Sequence, residues 1–129
     1  METPLTLAAS LLIVTGVVHS FLGERLIFRH LREGTLVPQL GAPPLQPRNI
    51  RILWATWHLA SVLGWGFAVI LFGMAAAPGA PVHNLVLKAV SGANALGALL
   101  VLVGTRGRHP GWVALGAVAV SAWAALPGA

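Results

Sequence analysis

The chain has 129 residues, of which 57% are hydrophobic and only 9% are charged, and its formal net charge at pH 7 is +5. Soluble proteins carry charged residues at about a quarter of their positions, so this composition excludes an ordinary soluble domain and predicts a multi-pass membrane protein in a lipid bilayer. The sequence contains no cysteine, which excludes disulfides, thiolate metal sites and thiol catalysis.

The first predicted helix spans residues 4–33. Thr3 and Pro4 form a credible start, because Thr can cap a helix and Pro is tolerated at its first position. Its apolar part ends near Leu22, and the arginines that follow among aliphatic residues predict an amphipathic end at the lipid headgroups. The next stretch contains four prolines, so residues 34–48 are predicted to form an interfacial connector.

Three further helices are predicted after this connector. Asn49 is a candidate N-cap for the second helix, over residues 49–74. The third helix, over residues 82–103, is rich in small residues that allow close packing, and the fourth spans residues 110–126. We therefore predict an all-α fold: a four-transmembrane-helix bundle with antiparallel up-down topology, forming one integral membrane domain over residues 1–129.

The basic residues cluster in two of the predicted loops and their flanks. Because positively charged loops face the cytoplasm, both termini are predicted to lie on the non-cytoplasmic side. This distribution explains the positive charge through topology and gives little reason to expect a nucleic-acid partner. The residues in these loops are Arg25, Arg29, Arg32, Arg48, Arg51, Arg106 and Arg108.

The second helix carries most of the polar information. Its polar and aromatic residues recur at steps of three and four, so they share one face of the helix. An intramembrane histidine is costly without a partner, and this face is therefore predicted to look into protein. The residues of the face are Arg51, Trp54, His58, Ser61 and Trp65.

Several polar residues are predicted to lie at one depth. Counting inward from the basic edges at about 1.5 Å per residue places His19 and His58 at similar levels. Asn94 on the third helix and Ser121 on the fourth fall within about two turns of that level. The sequence thus predicts a polar layer of these four residues together with Ser61.

The two histidines support alternative hypotheses. Facing imidazoles from bundle helices could ligate a haem b axially, with Trp54 and Trp65 as pocket walls. Glu24 is a further candidate metal ligand, although its spacing from His19 places the two on different faces of the first helix. Alternatively, each histidine only packs, donating to a backbone carbonyl or to Ser61 or Asn94.

Glu24 and Arg51 are predicted to lie near the cytoplasmic edge on neighbouring helices, where they could form an interfacial ion pair. Arg25 and Arg29 are alternative partners for the same carboxylate. Glu24, His58 and His19 could also supply half of a proton route in a proton or small-solute transporter. No serine has a recognisable His–acid pair in the sequence, so an enzyme is not favoured.

Parts of the first two helices resemble a family of small bacterial inner-membrane proteins with four predicted helices and no assigned activity. The similar segments are Gly16–Glu24, Arg51–Leu59 and Gly64–Phe67. The resemblance implies a location in a bacterial inner membrane. It also selects the positions to test, which are His19, Glu24, Arg51, Trp54 and His58.

The function favoured by the sequence is a small non-enzymatic accessory subunit or oligomeric scaffold. A 13.4 kDa chain has few residues for a substrate cavity, so self-association or a larger membrane complex is the expected partnership. A haem- or metal-binding redox carrier or sensor is the first alternative, and a transporter is the second.

Overall fold

The computed structural model describes residues 3–128, which form four α-helices and no β-strand. A short 3-10 helix, Phe28–Leu31, follows the first of them. Three of the four, α1 to α3, are long and apolar enough to cross a membrane, whereas α4 has 14 residues. The all-α prediction is confirmed. The helices are α1 Thr3–Leu26, α2 Pro47–Ala76, α3 His83–Thr105 and α4 Gly111–Ala124.

The helices are arranged as a row. Each packs against its neighbour in sequence, α1 on α2, α2 on α3 and α3 on α4. Within residues 3–128, α1 packs substantially on no other long helix than α2. The four helices therefore form an open arrangement in which α1 and α4 are the edges.

Small residues on α1 make room for tryptophans of α2. The three buried residues of α1 are spaced by seven, Ala9, Gly16 and Gly23. The Trp65 indole lies against Gly16 and the Trp57 indole against Gly23, so closely that neither glycine has space for a Cβ. Only glycine permits this approach, and burial of the rings joins α1 to α2 along a narrow seam.

The other two helix pairs also depend on small residues. Gly104 of α3 lies against Trp54, and Gly97 lies against Leu59 of α2. The buried Ser91 hydroxyl donates to the Ala119 carbonyl at 2.8 Å and links α3 to α4. These contacts bring the C-terminal end of α3 against the N-terminal part of α2, where a small apolar core forms. Its buried members are Phe28, Trp54, Ala55 and Val101.

α1 ends earlier than predicted, at Leu26 and not at residue 33. The reason is the burial of Phe28, which is 2% exposed in the core beside Trp54 and Val101. The 3-10 turn then reverses the chain, and the N–H groups of Gln39 and Leu40 donate to the Leu31 carbonyl at 2.9 and 3.0 Å. The connector therefore folds back beneath the helices.

The start of α2 also differs from prediction. The N-cap is Gln46, and Pro47 occupies the first helical position, where its missing N–H is not needed. Asn49 lies three residues after the cap, and its Oδ1 accepts the Gln46 backbone N–H at 3.2 Å. The boundaries of α3 and α4 differ from prediction by only one or two residues, since Thr105 and Ala124 are their last residues.

The outer surface of the row is strongly apolar. On α1 alone, Leu7, Leu11, Val14 and Phe21 are each between 57% and 60% exposed. Continuous apolar surface of this extent is unfavourable in water and matches contact with lipid or protein.

Candidate functional site

The polar side chains of the seam meet at Glu24, in the last turn of α1. Its Oε1 accepts the Trp54 indole N–H at 2.6 Å and lies 2.8 Å from Nε2 of His58. The Arg32 guanidinium binds the other oxygen, Oε2. His58 is 14% exposed, Arg32 22% and Glu24 29%. We refer to Glu24, Arg32, Trp54 and His58 as the Glu24 cluster.

Arg32 reaches Glu24 because α1 stops at Leu26. In a continuous helix a step of eight residues, from Glu24 to Arg32, would separate the two residues by about 12 Å along the axis. The 3-10 turn removes this distance and brings the guanidinium back. The predicted partners Arg51, Arg25 and Arg29 are therefore not those of Glu24, and Arg51 lies in a separate cleft with Arg48 and Arg108.

A chain of hydroxyl groups continues from His58 along the seam. Nδ1 of His58 lies 3.0 Å from the Ser20 Oγ, and the Ser20 hydroxyl donates to the Ser61 Oγ at 2.9 Å. The Ser61 hydroxyl donates to the Gly16 carbonyl at 2.9 Å. A carbonyl can only accept and each hydroxyl has one hydrogen, so these hydrogen bonds all run away from His58.

This direction places one hydrogen of His58. The single hydrogen of Ser20 is used on Ser61, so Nδ1 of His58 donates to Ser20. Nε2 of the same ring lies 2.8 Å from Oε1 of Glu24, so His58 joins the carboxyl group on one side to the hydroxyl chain on the other.

Ser20, His58 and Glu24 thus share the residue types of a nucleophilic triad, a grouping the sequence did not predict. The chemistry differs, because a triad histidine must accept the serine hydrogen. Here the hydrogen of Ser20 points to Ser61 and His58 is already a donor. In this arrangement the Ser20 hydroxyl donates away from His58, and the three side chains link α1 to α2.

His19 lies beside the cluster but does not enter it. Its ring stacks on the Trp57 indole with centroids 4.4 Å apart and planes 6° from parallel. The Trp57 N–H donates to the His19 backbone carbonyl at 3.0 Å. The His19 side chain lines a groove of about 250 Å³ between α1 and α2, together with Thr15, Gly16 and Ser61.

The geometry bears directly on the haem and metal hypotheses. Both ring nitrogens of His58 have partners, so ligation of iron would require it to release Glu24 or Ser20. Among residues 3–128 no three histidine or acidic side chains come together, and His19 is not grouped with Glu24 and His58. Trp54 donates a hydrogen bond to Glu24, and Trp65 packs on Gly16. Both tryptophans, predicted as walls of a haem pocket, therefore contact α1 in the seam between α1 and α2.

The predicted polar layer is brought together only in part. His58 and Ser61 are connected, through Ser20. The Asn94 amide donates to the Val90 carbonyl of its own helix at 2.8 Å, and Ser121 is exposed on α4. Ser91, and not Ser121, supplies the polar contact between α3 and α4.

Three residues of the site were missed by sequence reasoning: Ser20, Arg32 and Trp57. A usable signal existed for Ser20, because Gly16, Ser20 and Glu24 are spaced by four and share a helix face. Trp57 and Trp65 are likewise eight apart, close to the seven-residue spacing of the glycines they cover. Arg32 had no such signal, since its contact depends on the turn after α1.

Comparisons with protein-family models, with curated proteins and with solved structures find no match to this chain.

Proposed function

We propose that this chain is a non-enzymatic four-span protein of a bacterial inner membrane that works by association, as an oligomeric scaffold or accessory subunit. The observation that carries this proposal is a contrast between the polar side chains of the Glu24 cluster and the apolar side chains of the edge helices. The polar groups of the Glu24 cluster bind one another, whereas the apolar outer faces of the edge helices are uncovered.

The order of contacts supports the antiparallel topology. Along α2, Trp57 precedes Trp65, but the glycines that they cover occur in the reverse order, Gly23 and then Gly16. Neighbouring helices that alternate in direction place both basic loops on one side. The positive-inside rule then favours the cytoplasm for these loops and the opposite side for both termini.

The length of α4 favours a partner. Its 14 residues cover about 21 Å, less than the roughly 30 Å of a bilayer core. A short span is accommodated by local thinning of the bilayer or by association with other helices. As an edge helix, α4 is free for such association.

Transport is less well supported by the seam. A proton passed from Glu24 to His58 could move along Ser20 and Ser61, but the chain of donors ends at the Gly16 carbonyl. A backbone carbonyl has no hydrogen to exchange and cannot pass the proton on. The haem alternative needs the rearrangement of His58 described above, and an oxidised-minus-reduced absorption spectrum of protein purified from its native membrane tests it.

Self-association can be tested by cysteine scanning, because the chain contains no cysteine of its own. Single cysteines at Leu7, Leu11 and Val14 on α1, and at Val120 on α4, would be oxidised in native membranes. A disulfide needs Cβ atoms about 4 Å apart, so it reports true helix contact. We expect disulfide-linked dimers at a subset of these positions, on one face of an edge helix.

Ala9→Cys is the matched control, because Ala9 is fully buried against α2 and should not reach another chain. Equal cross-linking at Ala9 and at the exposed positions would indicate random collision. A monomeric mass in lipid nanodiscs with no co-purifying protein would contradict both forms of the proposal.

A further inference from the structure

A second polar region, which we call the basic cleft, lies between the start of α2 and the end of α3. It encloses about 280 Å³ and is lined by Arg48 and Arg51 of α2 and by Thr105, Arg108 and His109. Ile52 completes the lining. No acidic residue lines this cleft, and among residues 3–128 the ion pairs all involve Glu24, which binds Arg32 and His58. The positive charge of the cleft is therefore uncompensated.

The arginines of the basic cleft also repel one another. Arg51 is half-buried and experiences the like charges of Arg106 and Arg108. Placing guanidinium groups together near a low-dielectric interior raises their mutual repulsion and favours a bound anion. The planar guanidinium matches the geometry of phosphate oxygens with two parallel hydrogen bonds.

The remaining polar groups of the basic cleft add to this preference. Nδ1 of His109 accepts the Gly111 backbone N–H at 3.0 Å, so the hydrogen of the neutral ring lies on Nε2 and is available to donate. Gly111 permits this contact, because a Cβ there would press on the His109 ring. The three arginines and the His109 ring therefore supply the hydrogen-bond donors of the cleft. Thr105 does not add a donor, because its hydroxyl hydrogen is already bonded to the Val101 carbonyl.

An apolar groove continues from the basic cleft. It encloses about 290 Å³ between α2, α3 and α4, and it shares Ile52, Thr105 and His109 with the cleft. The rest of its lining is almost entirely aliphatic: Ala55, Thr56, Leu59, Val101, Gly111, Ala114 and Leu115. A cationic cleft joined to an aliphatic groove is complementary to an anionic phospholipid, which has a negatively charged headgroup joined to apolar acyl chains.

We propose that the basic cleft and this groove bind one anionic phospholipid, with its phosphate among Arg48, Arg51 and Arg108 and an acyl chain along the groove. A phosphate-bearing solute would share the head chemistry, but it has no use for the groove. The site is separate from the Glu24 cluster and does not depend on self-association. Basic pockets between membrane helices on the cytoplasmic side suit phosphate headgroups.

The test uses the full chain, purified in a neutral detergent and titrated with dioleoyl phosphatidylglycerol, with bound lipids counted by native mass spectrometry. We expect one retained lipid. R51Q/R108Q should weaken its binding at least about tenfold, because two charge-assisted contacts are lost. The matched control is R25Q/R29Q, which removes the same charge from two exposed arginines outside the cleft.

Two further arms separate the sources of the phosphate. Ala114→Phe narrows the groove without changing charge and should also reduce lipid retention, whereas dioleoylglycerol, which lacks the phosphate, should not be retained.

Displacement of the lipid by millimolar inorganic phosphate, with Ala114→Phe having no effect, would overturn the assignment of a lipid to this site and indicate a soluble phosphate compound. Equal losses in R51Q/R108Q and R25Q/R29Q would overturn the site, since attraction would then be diffuse. A thermal unfolding transition of R51Q/R108Q at the wild-type temperature shows that its loss is not misfolding.

Discussion

Arg32 and the arginines of the basic cleft lie around the same small apolar core, yet they meet opposite electrostatic conditions. Arg32 binds Glu24, whereas Arg48, Arg51 and Arg108 line a cleft without an acidic residue. The chain has three acidic residues for eight lysines and arginines, so most of its cations must go without a partner. The difference shows that Glu24, one of the few carboxylates of the chain, lies at the contact between α1 and α2, where it binds Trp54 and His58.

The strongest test of this comparison is Glu24→Gln. The change leaves the Arg32 guanidinium without a counter-charge and His58 without its carboxylate partner, and removing one partner of a buried pair typically costs 3–5 kcal/mol. Because Glu24 and Arg32 are 29% and 22% exposed, we expect the free energy of unfolding to fall by about 3 kcal/mol, at the lower end of that range. Denaturant unfolding in lipid micelles followed by circular dichroism measures it.

Glu33→Gln provides the control, since Glu33 is an exposed acid that takes no part in the ion pairs of residues 3–128. It should change stability by less than about 0.5 kcal/mol. A similar loss in both variants would mean that the joint is not what Glu24 stabilises.

Gly23→Ala separates the contribution of packing from that of charge, because it disturbs the contact between α1 and α2 and leaves every charged residue in place. The added methyl would collide with the Trp57 indole and displace it from the His19 carbonyl and ring. We expect a loss of about 2 kcal/mol, typical of overpacking. Gly64→Ala, where a Cβ meets open space, should be neutral or slightly stabilising, and the same unfolding assay compares the two.

Ser91→Ala examines the joint between α3 and α4, which has no charged residues. Removing the hydroxyl eliminates one buried hydrogen bond, and the free energy of unfolding should fall by about 1 kcal/mol. Ser121→Ala should have almost no effect, because Ser121 is exposed. An equal or larger effect at Ser121 would restore the predicted polar layer in place of the Ser91 contact.

The smallest effect is expected in the basic cleft. With no phospholipid present, Arg51→Gln should increase the free energy of unfolding by about 0.3 kcal/mol, since it removes a partly desolvated charge and relieves repulsion from Arg106 and Arg108. The gain should disappear in 1 M salt, where charges are screened over about 3 Å. A clear loss of stability at low salt would show that Arg51 has a structural partner after all.

The sequence predicted those features that depend on local composition. Apolar length identified α1 to α3 as helices long enough to span. Glu24, Trp54 and His58 are three of the five positions that were selected for testing, and the structure brings their side chains into contact. What failed depended on tertiary contacts. The end of α1 is set by the burial of Phe28 far along the chain from its neighbours, and the partner of Glu24 follows from that end.

Depth along the helices was also an incomplete guide. Counting from helix ends placed Asn94 and Ser121 at a common level, but it could not give the rotation of each helix about its axis. Asn94 bonds within α3 and Ser121 faces outward for that reason. Rotation is determined by packing of small residues, such as Gly97 against Leu59, which no single helix reveals by itself.

The one-way order of the hydroxyl chain has a consequence for exchange with solvent. The hydrogen on Nδ1 of His58 lies between the ring and Ser20, and Ser20 can turn away from it only by giving up its own hydrogen bond to Ser61. Replacement of that hydrogen by deuterium therefore requires the hydroxyl chain to break at Ser20. Its exchange rate measures how often this local opening of the seam occurs.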